Sequence, residues 1–414
     1  MFSALRHPNF RSFLAAHACA MSGHWVQQVA LGWLVFRLTD SALYLGLVGT
    51  CALLPNLLLT PFVGVFAETA DRRRILLATQ SAAFAHALLL AVAVVTEQVG
   101  VALLLALALA QGAIQGFDWT NRQSLLAQLV DDRADLPNAI ALNSTSFNVS
   151  RILGPALAGA LLMAWGEAAC FVAAALLEAV AFMFTKRLRL ARRVSSTPAR
   201  APMFAELGAG ARYAWRERAI RRPLLLVALA GATIVPYVNL LPVFATRVFG
   251  GGPDLLGALN AAPAIGAVIG GLLLASQRGA SGLERRIFIA GLVTAAAAAG
   301  FALAPNLVVA LPVLALLGGA QLTWMASMNT RLQTVVHDSM RARVMSFFNM
   351  AFLAALPFGQ LIYGAAADHV GVAVVMTSGA GVCLAGHLWL HFRVQPKAQS
   401  PRVEVSNEQC ALGN

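Results

Sequence analysis

The chain has 414 residues, of which 59% are hydrophobic and only 12% are charged, and its formal net charge is +12. So few charges exclude an ordinary soluble domain, in which roughly a quarter of the residues are charged. The basic excess raises the question of nucleic-acid binding, but the apolar residues are gathered in uncharged runs of about 20 residues, the length with which an α-helix crosses a lipid hydrocarbon core. The composition therefore predicts an all-α integral membrane protein and no nucleic-acid partner.

Twelve transmembrane helices are predicted, separated by charged residues or by Pro and Gly turns. We number them spans 1 to 12 in chain order. The first six cover residues 13–36, 43–66, 75–95, 101–117, 140–165 and 168–185. The second six cover residues 224–249, 255–276, 287–303, 307–328, 344–367 and 370–392.

The longest polar segment divides these spans into two halves. The predicted domains are an N-terminal six-helix bundle (1–187), a cytoplasmic linker with an amphipathic surface helix (188–222), a C-terminal six-helix bundle (223–394) and a disordered tail (395–414). Three features recur at a shift of roughly 200–210 residues, at matching places in each half. These pairs are Asn121-Arg122 with Asn329-Thr330-Arg331, Arg72-Arg73-Arg74 with Arg285-Arg286, and Pro155 with Pro357. A duplicated bundle predicts a solute site between the halves, near the membrane midplane.

The distribution of charge predicts the orientation. With the N-terminus inside, Arg37 and Arg247 are the basic residues on the outer face, and the other Lys and Arg residues are assigned to cytoplasmic loops, tails or inner helix ends. Both termini are therefore expected in the cytoplasm. No cleavable signal precedes span 1, so this helix is expected to act as its own insertion signal. The five cysteines lack metal-site spacing and are interpreted as packing residues, so no metal site is predicted.

The loop between spans 2 and 3 reads Gly64-Val65-Phe66-Ala67-Glu68-Thr69-Ala70-Asp71-Arg72-Arg73-Arg74. It resembles the G-x-x-x-D-x-x-x-R-R loop motif of the major facilitator superfamily. Residues 9–11, 23–36, 38–41, 45–48, 136–144 and 154–159 are similar to the branch that holds enterobactin and macrolide exporters. The chain departs from the superfamily pattern at Glu68, where an Asp is usual, and at Ala108, where span 4 usually has an Arg.

This resemblance implies a major facilitator fold of two six-helix bundles. It also implies a monomeric secondary transporter of the bacterial inner membrane that exports a small, amphipathic, siderophore-like or drug-like compound by proton antiport and alternating access. An uptake permease or a lysolipid flippase of the same fold remains an alternative.

Other function classes are less well supported. No P-loop motif is present, so neither a nucleotide nor another cofactor is expected and the proton gradient is the predicted energy source. A membrane enzyme would need a paired nucleophile and base or metal ligands, and a sensor would need an output domain. None of these is visible in the sequence, so the chain is predicted not to be an enzyme.

Polar residues form one-sided stripes on two predicted spans. In span 4, Gln111, Gln115, Asp118 and Arg122 share a helix face, and span 1 carries a similar stripe that includes His24 and Gln28. Polar side chains avoid lipid, so both stripes should face the protein interior, where interhelical hydrogen bonding is the alternative role. The resembled fold lines its cavity with spans 1, 4, 7 and 10. The candidate cavity residues are therefore His24, Gln28, Gln111, Gln115, Tyr237, Asn239, Gln321, Trp324 and Asn329, with core packing as an equal alternative for Tyr237 and Trp324.

Three further sets of functional residues are predicted. The loop motif implies a gating latch that holds one access state and consists of Glu68, Asp71, Arg72, Asp118 and Arg122. Asp118 is the first candidate for proton coupling. Glu178, in the middle of span 6, is the second, although span 6 is peripheral in the resembled fold and a packing role is favoured there. An antiporter-type motif in span 5 consists of Gly154, Pro155 and Gly159, with helix packing alone as an equal alternative.

Overall fold

A computed structural model of the chain describes residues 3–69, 71–130, 132–189, 212, 214–276, 282–336 and 338–393. These residues form helices, and no strand occurs among them. The N-terminal half contains Pro8–Thr39 (span 1), Ala42–Thr69 (span 2), Arg72–Val95 (span 3), Val101–Leu125 (span 4) and Leu136–Lys186. The C-terminal half contains Arg218–Thr233 and Tyr237–Val243 (span 7), Pro253–Ala275 (span 8), Leu283–Ala302 (span 9), Leu307–Val335 (span 10), Asp338–Val370 (span 11) and Val372–Arg393 (span 12).

Ten helices in the described part are long and apolar enough to cross a membrane. One of them, Leu136–Lys186, has 51 residues and would be about 77 Å long if straight, which is enough for two crossings. Its backbone leaves the helical region at Gly166, where φ is 77°. Beyond this point Cys170 Sγ lies 3.6 Å from the carbonyl oxygen of Ala158, whereas a straight helix would separate these residues by about 18 Å. The chain therefore reverses at Gly166 and forms spans 5 and 6.

Span 1 is the remaining crossing. It has 32 residues, but its buried polar side chains, such as His17 and Gln27, lower its hydropathy below that of the other spans. It packs along the Leu136–Lys186 helix, which places it inside the N-terminal half. The described chain thus crosses the membrane twelve times, and the predicted all-α, twelve-helix fold is confirmed.

The two halves repeat one packing pattern. Span 2 packs on span 4 as span 8 packs on span 10, and the halves meet through spans 2 and 11 and through spans 5 and 8. Glycines bring the paired helices together: a Cβ atom at Gly112 would lie 2.3 Å from the carbonyl oxygen of Ala52, and one at Gly318 would lie 1.9 Å from that of Pro263. Backbones therefore touch at equivalent places, as is common between membrane helices.

Span 7 is broken, although one span over residues 224–249 was predicted from the sequence. The helix Arg218–Thr233 ends before Pro236, and a new one begins at Tyr237. Proline has no backbone N–H and cannot continue the hydrogen-bond ladder. The Tyr363 hydroxyl of span 11 donates to the carbonyl oxygen of Thr233, so a neighbouring helix satisfies a group that the break would leave unpaired.

The predicted domain boundaries remain predictions, because residues 190–211 of the linker and 394–414 of the tail lie outside the described ranges. We name the two membrane faces by residues that they carry. The Asp40 face carries the turns at Asp40, Glu97, Gly166 and Asp368, and the Arg72 face carries the opposite helix ends, including Arg72.

Candidate functional site

A cavity of about 190 Å³ lies between the two halves. Apolar side chains such as Leu31, Val48 and Leu256 form part of its wall. Five of the nine predicted cavity residues line it, namely His24, Gln28, Gln111, Gln115 and Asn239. Drug-sized ligands usually occupy pockets of about 300–1,000 Å³, so the cavity in this arrangement can enclose only part of such a compound.

Gln27, beside the predicted Gln28 of span 1, also lines the cavity and was not selected from the sequence. The same holds for three amides in other spans, namely Asn56 in span 2, Asn260 in span 8 and Gln360 in span 11. Each is a single amide in an otherwise apolar stretch, with no polar stripe around it. These residues could have been found from the sequence, because even one amide is costly in lipid and should therefore face the protein interior. The polar part of the cavity therefore comes from six spans and from both halves.

Several polar atoms around the cavity lack a hydrogen-bond partner in the described part of the chain. They are Trp25 Nε1, Gln111 Oε1, Asn239 Nδ2 and Gln360 Oε1. A buried polar group without a partner costs free energy, so these atoms are suited to bind water or a solute. Gly49 leaves room for two of them, because a Cβ there would lie 2.1 Å from Asn239 Nδ2 and 2.7 Å from Gln360 Oε1.

Four predicted cavity residues do not line this cavity. Tyr237 is almost fully buried, and its hydroxyl has no partner among the described residues. Trp324 is buried and meets His387 edge-on, with ring centroids 6.1 Å apart. Asn329 accepts a hydrogen bond from Gln333, and Gln321 is half-buried elsewhere on span 10. In this arrangement Trp324 packs in the C-terminal half instead of facing the solute space.

A second, smaller void of about 20 Å³ lies inside the N-terminal half, among spans 1, 3, 4 and 6. It has room for about one water molecule. The residues around it are Met21, His24, Thr79, Gln80, Ala83, Gln111, Ile114, Gln115, Asp118 and Glu178. It shares His24, Gln111 and Gln115 with the large cavity, so one polar wall separates the solute space from two carboxyl groups.

The two carboxyl groups differ in their partners. Asp118 Oδ2 lies 2.5 Å from Arg122 Nε, and Asp118 Oδ1 accepts a 2.9 Å hydrogen bond from the Thr79 hydroxyl. Glu178 is 9% exposed and makes neither a hydrogen bond nor an ion pair with another described residue. Asp118 is thus held by a cation, whereas Glu178 has no such partner.

Glu178 belongs to a peripheral helix but lies on its buried face, and its role in packing or in proton coupling stays a prediction. Span 6 packs on spans 1 and 3: Ala174 contacts Ala87 of span 3, and a Cβ at Gly23 of span 1 would lie 3.2 Å from the carbonyl oxygen of Ala174. Glu178 follows Ala174 by one helical turn and therefore points into the same interior. A helix can be peripheral in the fold and still bury one face.

Other polar groups near this void are also unsatisfied. Both ring nitrogens of His17, both amide atoms of Gln80 and both terminal nitrogens of Arg122 have no partner within the described ranges. Ordered water commonly satisfies such groups. No group of three or more His, Cys, Asp or Glu side chains in the described part is arranged to hold a metal ion.

The predicted latch residues whose side chains are described make contacts with different partners. Asp71 caps span 3 by accepting hydrogen bonds from its first turn. The Arg72 guanidinium donates to the carbonyl oxygen of Ser124 at 2.7 Å, and Asp118 pairs with Arg122. The Glu68 side chain lies outside the described residues.

The halves are joined at the Asp40 face. Arg247 of span 7 lies 3.0 Å from Asp40 and 3.9 Å from Asp368. The Asp368 carboxylate of span 11 accepts hydrogen bonds from the Ser41 hydroxyl at 2.5 Å and from the backbone N–H groups of Ala42 and Leu43. These contacts join the two halves at this face.

The span 5 motif makes two close helix contacts. A Cβ at Gly154 would lie 2.4 Å from Trp25 Cβ in span 1, and one at Gly159 would lie 3.1 Å from Gly257 Cα in span 8. The first contact holds the N-terminal half together and the second joins the halves. The role of this motif in antiport stays a prediction.

The chain is similar to known proteins over most of its length. A family model described as transmembrane secretion effector matches residues 1–411. The Staphyloferrin A transporter of Staphylococcus aureus (strain NCTC 8325 / PS 47) is 26% identical over 362 residues, which are 87% of this chain and 90% of the relative. The Multidrug efflux pump Tap of Mycolicibacterium fortuitum is 25% identical over 368 residues, which are 87% of this chain and 89% of the relative.

Solved structures share the fold. A mutant of the nucleoside transporter NupG superimposes with a TM-score of 0.75 at 13% identity and covers 93% of this chain and 100% of its own. A bacterial homolog of the human lysosomal transporter Spinster, in an inward-facing and unoccupied conformation, has a TM-score of 0.70 at 15% identity and covers 92% and 95% of the two chains.

Proposed function

We propose that this chain, which belongs to the transmembrane secretion effector family, exports a small amphipathic compound across the bacterial plasma membrane by proton antiport. The family and its fold make the chain a transporter of the major facilitator type and not an enzyme. The observation that carries the proposal is the polar wall of His24, Gln111 and Gln115. It lies between the solute cavity and the void that holds Asp118 and Glu178.

The orientation follows from the basic residues. The positive-inside rule assigns the Arg72 face, and with it both termini, to the cytoplasm. The contacts of Asp368 and Arg247 then close the outer side, so the arrangement is inward-facing. A latch at the Arg72 face belongs to the opposite access state, which is consistent with Arg72 donating to Ser124 while Asp118 pairs with Arg122.

The substrate class is inferred from the cavity and the relatives. Apolar walls with a few amides suit a compound that has both apolar and polar parts. One relative carries staphyloferrin A in its name and the other is a multidrug efflux pump. A siderophore-like or drug-like compound is therefore the proposed cargo, and the chain is proposed to act as a monomer.

Proton coupling is proposed to use Asp118 first and Glu178 second. Gln115 Nε2 lies 2.5 Å from His24 Nδ1, and both residues border the cavity and the void. A solute that binds Gln115 competes for this hydrogen bond and moves His24, which changes the polar surroundings of the carboxyl groups. Solute and proton then influence each other through one shared contact, which antiport requires.

Export is tested in cells that express the protein, with a panel of fluorescent drugs and a ferric-siderophore label. Expression should lower accumulation of at least one compound, and a protonophore should abolish the difference. The Asp118→Asn variant should lose the effect, whereas Asp254→Asn, at an exposed site outside the cavity, should retain it. Accumulation that increases with expression would instead support the uptake alternative, and translocation of lysolipid without export of the panel would support the flippase.

A further inference from the structure

A groove of about 600 Å³ lies among spans 8, 9 and 10 of the C-terminal half. No residue that lines it also lines the solute cavity. Its floor is formed where spans 8 and 10 touch, because a Cβ at Gly266 or Gly270 would collide with the backbone of Ala315 or Gly319, respectively. These two contacts have the same offset along the chain, so spans 8 and 10 run side by side in the same direction.

The groove runs along the helices through one half of the membrane. Its wall uses residues 266–274 of span 8, 285–293 of span 9 and 315–323 of span 10. Each stretch is about 12 Å long, whereas half of a hydrocarbon core is about 15 Å thick. Span 9 begins at Leu283 on the Arg72 face, so the groove extends from that face towards the middle of the membrane.

The wall of the groove is apolar and faces lipid. Four large apolar side chains in it are between 45% and 61% exposed, namely Ile269, Leu273, Ile289 and Leu316. The Thr323 hydroxyl donates a 2.8 Å hydrogen bond to the carbonyl oxygen of Gly319 and is therefore satisfied. Apart from its charged end, the described wall thus offers no free polar side chain, which suits a hydrocarbon chain.

Two arginines form the charged end. Arg285 is exposed and Arg286 is half-buried, and both line the groove. Neither makes a hydrogen bond or an ion pair with another described residue. The adjacent carboxylate of Glu284 is engaged elsewhere, because its oxygen atoms lie 2.5 Å from Arg331 Nη2 and 4.0 Å from Arg222 Nη1. Two guanidinium groups therefore lie without an anion at the level of the lipid headgroups.

We propose that this groove binds an anionic phospholipid of the adjoining leaflet, with an acyl chain against spans 8, 9 and 10 and its phosphate at Arg285 and Arg286. In the described part of the chain, the charged residues of the groove lie at the end that meets the headgroups, and this pattern matches a lipid better than a soluble apolar compound. Basic pockets between transmembrane helices bind anionic headgroups, and arginine binds phosphate through charge-assisted hydrogen bonds. The lipid site goes beyond the proposed export function and does not depend on it.

The test is native mass spectrometry of the purified full-length protein with an equimolar mixture of dioleoylphosphatidylglycerol and dioleoylphosphatidylcholine. The two lipids have the same acyl chains, but the first is anionic and the second has no net charge. The wild type should bind phosphatidylglycerol about tenfold more tightly, because two unpaired arginines face its phosphate. The double variant Arg285→Gln/Arg286→Gln should lose this preference.

A matched control removes two charges elsewhere at the same face. Arg216 and Arg218 are exposed near the start of span 7 and do not line the groove. The double variant Arg216→Gln/Arg218→Gln should therefore keep the full preference for phosphatidylglycerol.

A second variant tests the acyl-chain part and keeps both arginines. Ala320→Phe narrows the apolar wall and should reduce the preference severalfold, so it also serves if Arg285→Gln/Arg286→Gln does not fold. Leu272→Phe is its control, because Leu272 is 68% exposed on span 8 and does not line the groove.

Equal binding of the two lipids by the wild type would overturn the lipid site, as would a preference that survives in Arg285→Gln/Arg286→Gln or in Ala320→Phe. Loss of the preference in Arg216→Gln/Arg218→Gln would attribute it to general surface charge and would also overturn the site. Glycerol phosphate has the headgroup chemistry without the chains. If an excess of it displaces phosphatidylglycerol, the arginines form a site for free phosphate compounds and the lipid site is wrong.

Discussion

Asp368, near the end of span 11, accepts a 2.8 Å hydrogen bond from the backbone N–H of Ala42, the first residue of span 2. A carboxylate at a helix N-terminus satisfies free N–H groups and complements the helix dipole. Here the cap comes from the opposite half of the molecule. Opening of the Asp40 face must therefore break a helix cap, which makes this contact a control point for the access state.

We predict that Asp368→Ala shifts the protein towards the outward-open state. Loss of a cap costs about 1 kcal/mol, which corresponds to a roughly fivefold change in the equilibrium between the two states. Glu97 and Leu303 are exposed at this face in different halves. The distance distribution between spin labels at these two positions should show a larger population at the longer distance. Asp254→Ala, at the same face but outside the cap, serves as the control, and an unchanged distance distribution in Asp368→Ala would contradict a gating role.

Substitutions at two glycines of span 2 should affect solute binding and gating separately. A Cβ at Gly49 would collide with side-chain atoms of Asn239 and Gln360, whereas one at Gly46 would lie 2.3 Å from the backbone oxygen of Gln360. Gly49→Ala should therefore weaken solute binding without changing the access state, because the amides can move. Gly46→Ala should instead favour outward opening, because a backbone cannot move away.

Titration with a fluorescent dye measures solute binding, and the distance between spin labels reports the access state, so the two measurements together distinguish these outcomes. Gly381→Ala is the control, since a Cβ there would have no atom within 4 Å. Identical behaviour of the Gly46 and Gly49 variants would show that the two positions are not separable.

The sequence predicted the helices and five of the polar residues that line the cavity for one physical reason: lipid excludes polar groups. Uncharged runs located the spans, and the stripes in spans 1 and 4 placed Gln28 and Gln115 on the cavity wall. Isolated amides such as Gln360 form no stripe and were not selected. The rotation of span 10 about its axis depends on its contacts with spans 8 and 9, so its own sequence did not show that Trp324 packs away from the cavity.

A methyl group added at Gly166, in the turn between spans 5 and 6, should destabilise the protein. Gly166 has φ 77° and ψ −171°, a combination that is essentially restricted to glycine and costs other residues about 1–3 kcal/mol. Gly166→Ala should lower the unfolding temperature of the purified protein and leave solute affinity unchanged. Gly100→Ala, at a helix start with negative φ and open space around it, should have little effect. Equal unfolding temperatures for the two variants would show that the turn relaxes without cost.

The carboxyl groups of the small void provide the test of proton coupling. From the sequence, Asp118→Asn should abolish pH-dependent exchange while keeping solute binding, and Glu178→Gln should be nearly silent. The shared void changes the second expectation, because Glu178 and Asp118 border the same space beside His24. We now expect Glu178→Gln to reduce proton release on solute binding and Asp118→Asn to abolish it.

The measurement is proton release from purified protein, followed with a pH dye in weak buffer while the solute is added. Glu97→Gln, at an exposed turn outside the void, should release protons as the wild type does. Unchanged release in Asp118→Asn rules out Asp118 as the coupling group. Unchanged release in Glu178→Gln alone would restore the packing role that the sequence favoured, because a proton carrier in the void cannot be replaced by an amide without effect.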